Sequence, residues 1–210
     1  VRKTKIRIHG EIDPDYDYEK LLVEHTLETL RTEEIGKKVI VKGIVTAKIG
    51  NSGYLQDGSS GVYLYSSSKR WRHLQPGNLV EVTGMVSDYN GLLEIGNIES
   101  IDLITEGAGI PEALTVRLAD IGEQYEGLLV KIEGAEIVEV EPHTGKGYNV
   151  IIKQGNTKGV IRIDKYLIPY IPPETFVPGQ SGDIIAPVGQ YLDVYQLMVP
   201  TLGNLQPIDG

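Results

Sequence analysis

Four residues within a short span have the types and spacing to hold a flat ligand. Along Tyr54-Leu55-Gln56 and Val62-Tyr63-Leu64-Tyr65, strand geometry turns successive side chains to opposite faces. Leu55, Val62 and Leu64 then point into a core, and Tyr54, Gln56, Tyr63 and Tyr65 point away from it. Outward tyrosine rings can stack planar groups such as nucleobases, at roughly 1–3 kcal/mol per base and without reading sequence. The neighbouring run Lys69-Arg70-Trp71-Arg72 adds cations for phosphates and for cation–π contacts. Tyr89, in an Asp-Tyr-Asn-Gly turn, extends the rim. The same tyrosines also read as ordinary strand formers, half buried against a later segment or the N-terminal one, and Trp71 as the plug of a barrel end. Both readings stay open.

A second group could bind a cation. Asp13, Asp15, Asp17, Glu19 and Glu24 occupy positions 1, 3, 5, 7 and 12 of an EF-hand-like calcium loop. Tyr18 stands where that loop needs its sharp-turn glycine and Pro14 stiffens the second position, so a solvated acidic helix start is the preferred reading and calcium the alternative. No other cofactor is expected. Catalysis is not expected of the chain either. His9, His25, His73 and His143 show no metal-ligand spacing. Thr144-Gly145-Lys146-Gly147 lacks the glycine spacing and the hydroxyl of a phosphate loop. Ser66, Ser67 and Ser68 lack a nucleophile-elbow context.

The elements that must position the tyrosines repeat. Gly36-Lys-Lys-Val-Ile-Val-Lys-Gly43 is echoed by Gly127-Leu-Leu-Val-Lys-Ile-Glu-Gly134, and residues 76–95 are echoed by 178–197, with Tyr89 matched to Tyr191. A period near ninety to a hundred residues suits a whole small domain. The first copy reads as a long strand from Lys38 to Lys48 with Gly43 at a bulge or barrel corner. Next come a hairpin turning at Asp57–Gly61, a connector over 66–74, a strand over 79–86 and strands after the Tyr89 turn. Five strands in this order describe a closed Greek-key barrel. The chain is expected to be all-β, with an N-terminal strand/helix segment over 1–25, a first barrel over 26–105, a linker over 106–112 and a second barrel over 113–210. The helix is placed to end near His25 and a lead-in strand to start at Thr26. The apolar connector with Tyr166, Pro169, Tyr170, Pro172, Pro173 and Phe176 covers its own barrel or docks on a neighbour.

Composition narrows the functions. The net charge is −9 and there is no cysteine, so disulfides, thiolate chemistry and cysteine-ligated zinc are excluded. An acidic chain does not attract phosphates globally, and any nucleic-acid role needs a local surface. Residues 26–105 are close to neutral while 113–210 carry seven basic and twelve acidic residues, which favours the first barrel. No apolar run approaches the ~20 residues of a membrane span. The start at Val1 without a visible signal peptide reads as a mature or excised piece.

The segments over 36–47, 53–65, 74–95 and 118–138 resemble the oligonucleotide/oligosaccharide-binding (OB-fold) modules found in tandem in secreted bacterial and archaeal DNA nucleases, beside a catalytic domain. The resemblance implies two tandem five-stranded OB-fold barrels. It implies non-catalytic binding of nucleic acid, single-stranded DNA above all, as an accessory to a catalytic nuclease domain or subunit, in an extracellular or cell-surface setting. Two alternatives remain: a protein-interaction or structural module of a surface protein, and binding of an oligosaccharide or a calcium-dependent ligand.

Overall fold

The computed structural model describes residues 24–58, 60–67 and 75–207. Its strands are β1 (Glu24–His25), β2 (Lys38–Ile49), β3 (Ser52–Asp57), β4 (Ser60–Leu64), β5 (Leu79–Tyr89), β6 (Leu92–Thr105), β7 (Leu114–Thr115), β8 (Leu129–Val140), β9 (Gly147–Gln154), β10 (Thr157–Asp164), β11 (Ser181–Tyr191), β12 (Val194–Met198) and β13 (Leu205–Pro207); α1 spans Leu27–Leu30. Alternating apolar residues with frequent glycine turns make the long strands half-buried, while β3 is buried on both faces. In β2 the inward Val39, Val41 and Val45 are fully buried or nearly so.

The strands close into two barrels of the same topology. β2, β3, β4, β6 and β5 are hydrogen-bonded in that order and β5 returns to β2; β8, β9, β10, β12 and β11 repeat the order and β11 returns to β8. In each, the third strand runs parallel to the fifth, β4 with β6 and β10 with β12. This order is that of the OB-fold barrel. Each barrel also carries a two-residue lead-in strand, β1 parallel to β2 and β7 parallel to β8. Gly43 sits where β2 leaves β5 for β3, because β2 pairs with β5 up to Ile44 and with β3 from Ile44 onward. It is the barrel corner; the register shift comes later, between Val45 and Ala47. Among the described residues no helix is long and apolar enough to cross a membrane.

The expected lead-in from Thr26 is corrected. Thr26 is instead the N-cap of α1, its Oγ1 accepting from Thr29 N–H (3.2 Å). Leu27 and Leu30, three apart on one face, drop into the first core. The lead-in strand is Glu24–His25, and the helix expected to end near His25 falls largely outside the described residues.

The second core draws on both barrels. Ala47, Ile49 and Tyr54 from β2 and β3 pack with Val130, Ile132, Val150, Ile152 and Val188. The connector after β10 closes this core with Leu167, Ile171 and Phe176. There Tyr148 O–H donates to the Ile171 carbonyl (2.6 Å). Its Tyr166 ring lies against Gly50 of the first barrel, so the connector covers its own barrel and also touches the other.

The barrels meet backbone to backbone. A Cβ added to Gly61 would overlap the Gly127 carbonyl, and one added to Gly127 would overlap Gly61. Gly61→Ala is therefore expected to destabilise the chain by about 1–3 kcal/mol or more through overpacking. Gly145→Ala, with open space around it, should stay within about 0.5 kcal/mol. Urea unfolding of the two variants measures the contrast.

Candidate nucleic-acid interface

The tyrosine face of the first barrel is not open. Leu55, Val62 and Leu64 point into the first core as the strand period requires, which leaves Tyr54, Gln56 and Tyr63 on the outer face. The second barrel covers that face. Tyr54 is 0% exposed and Gln56 3%. Tyr63 is half-buried against the second core, its ring 4.9 Å from that of Tyr54. Gly189 supplies the room, since a Cβ there would lie 2.7 Å from the Tyr54 hydroxyl. Gln56 Oε1 accepts from Leu129 N–H (3.0 Å). Desolvation pushes the Tyr54 phenol well above its ordinary value and the Tyr63 phenol up to about 12. Tyr54 and Gln56 do turn away from their own core as expected, but they are not available as a ligand face: a two-residue period says which face a side chain takes, not whether water or another domain lies beyond it.

Tyr65 and Tyr89 do face solvent, 52% and 54% exposed. Lys69, Arg70, Trp71 and Arg72 lie outside the described residues, as do Asp13, Asp15, Asp17 and Glu19. Glu24 is described, and its carboxylate pairs with Lys42 Nζ at 2.8 Å. The structure therefore assembles no stacking platform from Tyr54, Gln56, Tyr63, Tyr65 and Tyr89.

The covered face is locked by a partly buried ion cluster. Arg31 Nη1 lies 2.9 Å from Glu123 Oε1 and 3.2 Å from Glu126 Oε1. Its Nη2 donates to the Glu126 carbonyl (2.6 Å). Leu93 N–H donates to Glu126 Oε1 (3.3 Å) and Tyr195 O–H to Glu123 Oε2 (3.0 Å). Glu126 is 2% exposed and its Oε2 has no hydrogen-bond partner. Burial, then the Glu123 charge, raise its carboxyl to about 7, against the opposing pull of Arg31. Two carboxylates share one guanidinium, and burial makes the inner one keep its proton to higher pH than an ordinary carboxyl.

The equivalent face of the second barrel remains open. On β9 the outward residues are Asn149, Ile151 and Lys153; on β10 they are Lys158, Val160 and Arg162, each directly opposite its partner in the ladder. All six are half-buried or exposed. Arg162 is held in place by Asn149 Oδ1 (3.0 Å) and the Lys146 carbonyl (2.7 Å). Lys153 pairs with Glu136 of β8 at 2.8 Å, an exposed pair worth about 0–1 kcal/mol and readily exchanged for a phosphate. Residues 146–165 hold five basic residues against one acid. A whole-domain charge count hides this run; a sliding count along the sequence would have exposed it.

The chain is 35% identical over 129 residues to Endonuclease YhcR of Bacillus subtilis (strain 168), a match covering 55% of this chain and 11% of that protein. The resemblance to nuclease-associated OB-fold modules is thus borne out, and the chain spans about a tenth of the relative's length. No protein-family model matches. Among solved structures, a murine DNA binding protein bound with double-stranded DNA aligns at a TM-score of 0.43 and 9% identity, covering 81% of this chain and 97% of that one. The ygiW protein of E. coli aligns at 0.35 and 21%, covering 39% and 90%. At such scores these likenesses carry no argument; the fold assignment rests on the strand order.

The Glu126 carboxyl binds its proton more tightly in the fold than in the unfolded chain. Its contribution to stability is complete below the usual carboxylate value of 4.5 and is lost as pH rises to about 7. The loss is at most about 3 kcal/mol, the opposing pull of Arg31 being already within the shift. Glu126→Gln keeps the acceptor for Leu93 and removes the titration, so its urea-derived stability should fall less than that of the wild type across this window.

Proposed function

We propose that the chain binds nucleic acid without catalysing its cleavage, as an accessory of a nuclease. The observation that carries the reading is the open β9–β10 face, where Lys153, Lys158 and Arg162 project from the two strands that OB folds use for oligonucleotides. The relationship to a segment of Endonuclease YhcR supports it. In this reading the three cations take phosphates, and Arg162, fixed by Asn149 and the Lys146 carbonyl, sets the register. Ile151 and Val160 lie between the cations as an apolar floor. Single-stranded DNA is the proposed form, because unpaired bases can lay their faces on an apolar floor while a duplex keeps those faces stacked inside. Tyr65, exposed at the end of β4, and the basic run over 69–72 are proposed as a second contact on the first barrel.

Fluorescence anisotropy with a labelled single-stranded oligonucleotide tests the proposal, with a duplex of the same sequence as the second arm. Lys153→Gln/Lys158→Gln should weaken single-strand binding about tenfold or more at low salt. It should also flatten the slope of log affinity against log salt by about 1.4, at about 0.7 for each phosphate left without its lysine. Equal binding by wild type and variant would refute the face; tighter binding of the duplex would refute the single-strand form.

A further inference from the structure

The tips of the β5–β6 and β11–β12 hairpins meet across the seam between the barrels. Leu192 N–H donates to the Asn90 carbonyl (2.6 Å), and the Tyr89 and Tyr191 rings stand 6.5 Å apart at 47°. Tyr191 is 48% exposed, close to Tyr89, and Leu192 and Val194 beside it are exposed as well. An aromatic and apolar patch therefore faces solvent, built from both barrels, in a place where a stable fold has no need of one. Leu192 also holds left-handed backbone, φ 55°, a conformation uncommon for a residue with a side chain.

The charge the two hairpins carry is one-sided, and Arg31, which reaches their bases, is already paired with Glu123 and Glu126. Residues 73–116 and 166–210, which supply both hairpins, contain no lysine or arginine but seven and four acidic residues respectively. Asp88 and Asp193, one at each tip, are on the solvent side, Asp193 and its neighbours exposed and Asp88 next to the exposed Tyr89. A phosphate backbone would be repelled here, and an aliphatic surface would strand the carboxylates. A cation gains on both counts: it is attracted to the faces of the tyrosines and complements the acids beside them.

We infer that this seam is a docking surface for a basic segment of another polypeptide, whose lysine or arginine side chains lie over Tyr89 and Tyr191 while Asp88 and Asp193 balance the charge. The surface exists only while the barrels are docked, since each contributes one tyrosine and one aspartate. It stands apart from the β9–β10 face in chemistry and sign, so either can fail without the other.

Anisotropy with a labelled oligoarginine peptide, and an oligoglutamate peptide as control, provides the test on the whole chain. The wild type should bind the first and not the second. Tyr89→Leu/Tyr191→Leu keeps net charge and apolar bulk but removes both rings, and should weaken oligoarginine binding about tenfold. Asp88→Asn/Asp193→Asn should weaken it and reduce its salt dependence. Unchanged affinity in the tyrosine variant would overturn the inference, because the peptide would then be answering the overall negative charge. Loss of single-stranded DNA binding in that variant would also overturn it, making the tyrosines base-stacking groups. So would self-association of the wild type abolished by the same substitutions, which would make a second copy the occupant.

Discussion

Gly61 and Gly127 touch backbone to backbone, and most of what distinguishes this chain from two beads on a string depends on that approach. Without a side chain at either position the barrels come close enough for Tyr54 to enter the second core. Gln56 can then accept from Leu129, and Arg31 can reach the Glu126 carbonyl. Each interaction is individually modest, but all of them need the same separation. The outer face of β3 becomes an interior, where the Gln56 amide and one Glu126 oxygen find partners, while the Tyr54 hydroxyl and the other Glu126 oxygen have none.

Much of the architecture was legible in the chain. The recurring Gly-x-x-Val strand, the corner glycine and the turn-hairpin order specify a closed five-stranded barrel, and the structure returns one twice. The lead-in strand is expected from Thr26, yet Thr26 is the N-cap of a short helix whose Leu27 and Leu30 enter the core. The site was less legible, for a physical reason. Alternation correctly turned Tyr54 and Gln56 away from their own core, yet nothing local to β3 records that Gly189 leaves a space for the Tyr54 hydroxyl. Burial between domains is set by pairs of distant positions. Conversely, Lys153 and Lys158 escape a count by domain, because the twelve acids of residues 113–210 hide a basic hairpin within an acidic domain.

The same redistribution explains how a chain of net charge −9 can present surfaces of opposite character. Lysines and arginines are confined to the segments before residue 73 and between 117 and 165, while both late hairpins carry acids alone. Folding puts the second basic stretch on the open β9–β10 ladder and brings the two basic-free tips together at the seam. The proposed phosphate contacts and the proposed basic-segment contacts therefore occupy separate parts of one unit, whose relative orientation is held by the Arg31 cluster.

The central claim is that the second barrel shields the tyrosine face of the first. Hydroxyl-radical footprinting of the whole chain, read residue by residue by mass spectrometry, tests it directly. Tyr65, Tyr89 and Tyr191 should be oxidised readily, and Tyr54, fully buried, should be protected. Oxidation of Tyr54 at the rate of Tyr65 would contradict the account, because it would mean that the face is open to solvent.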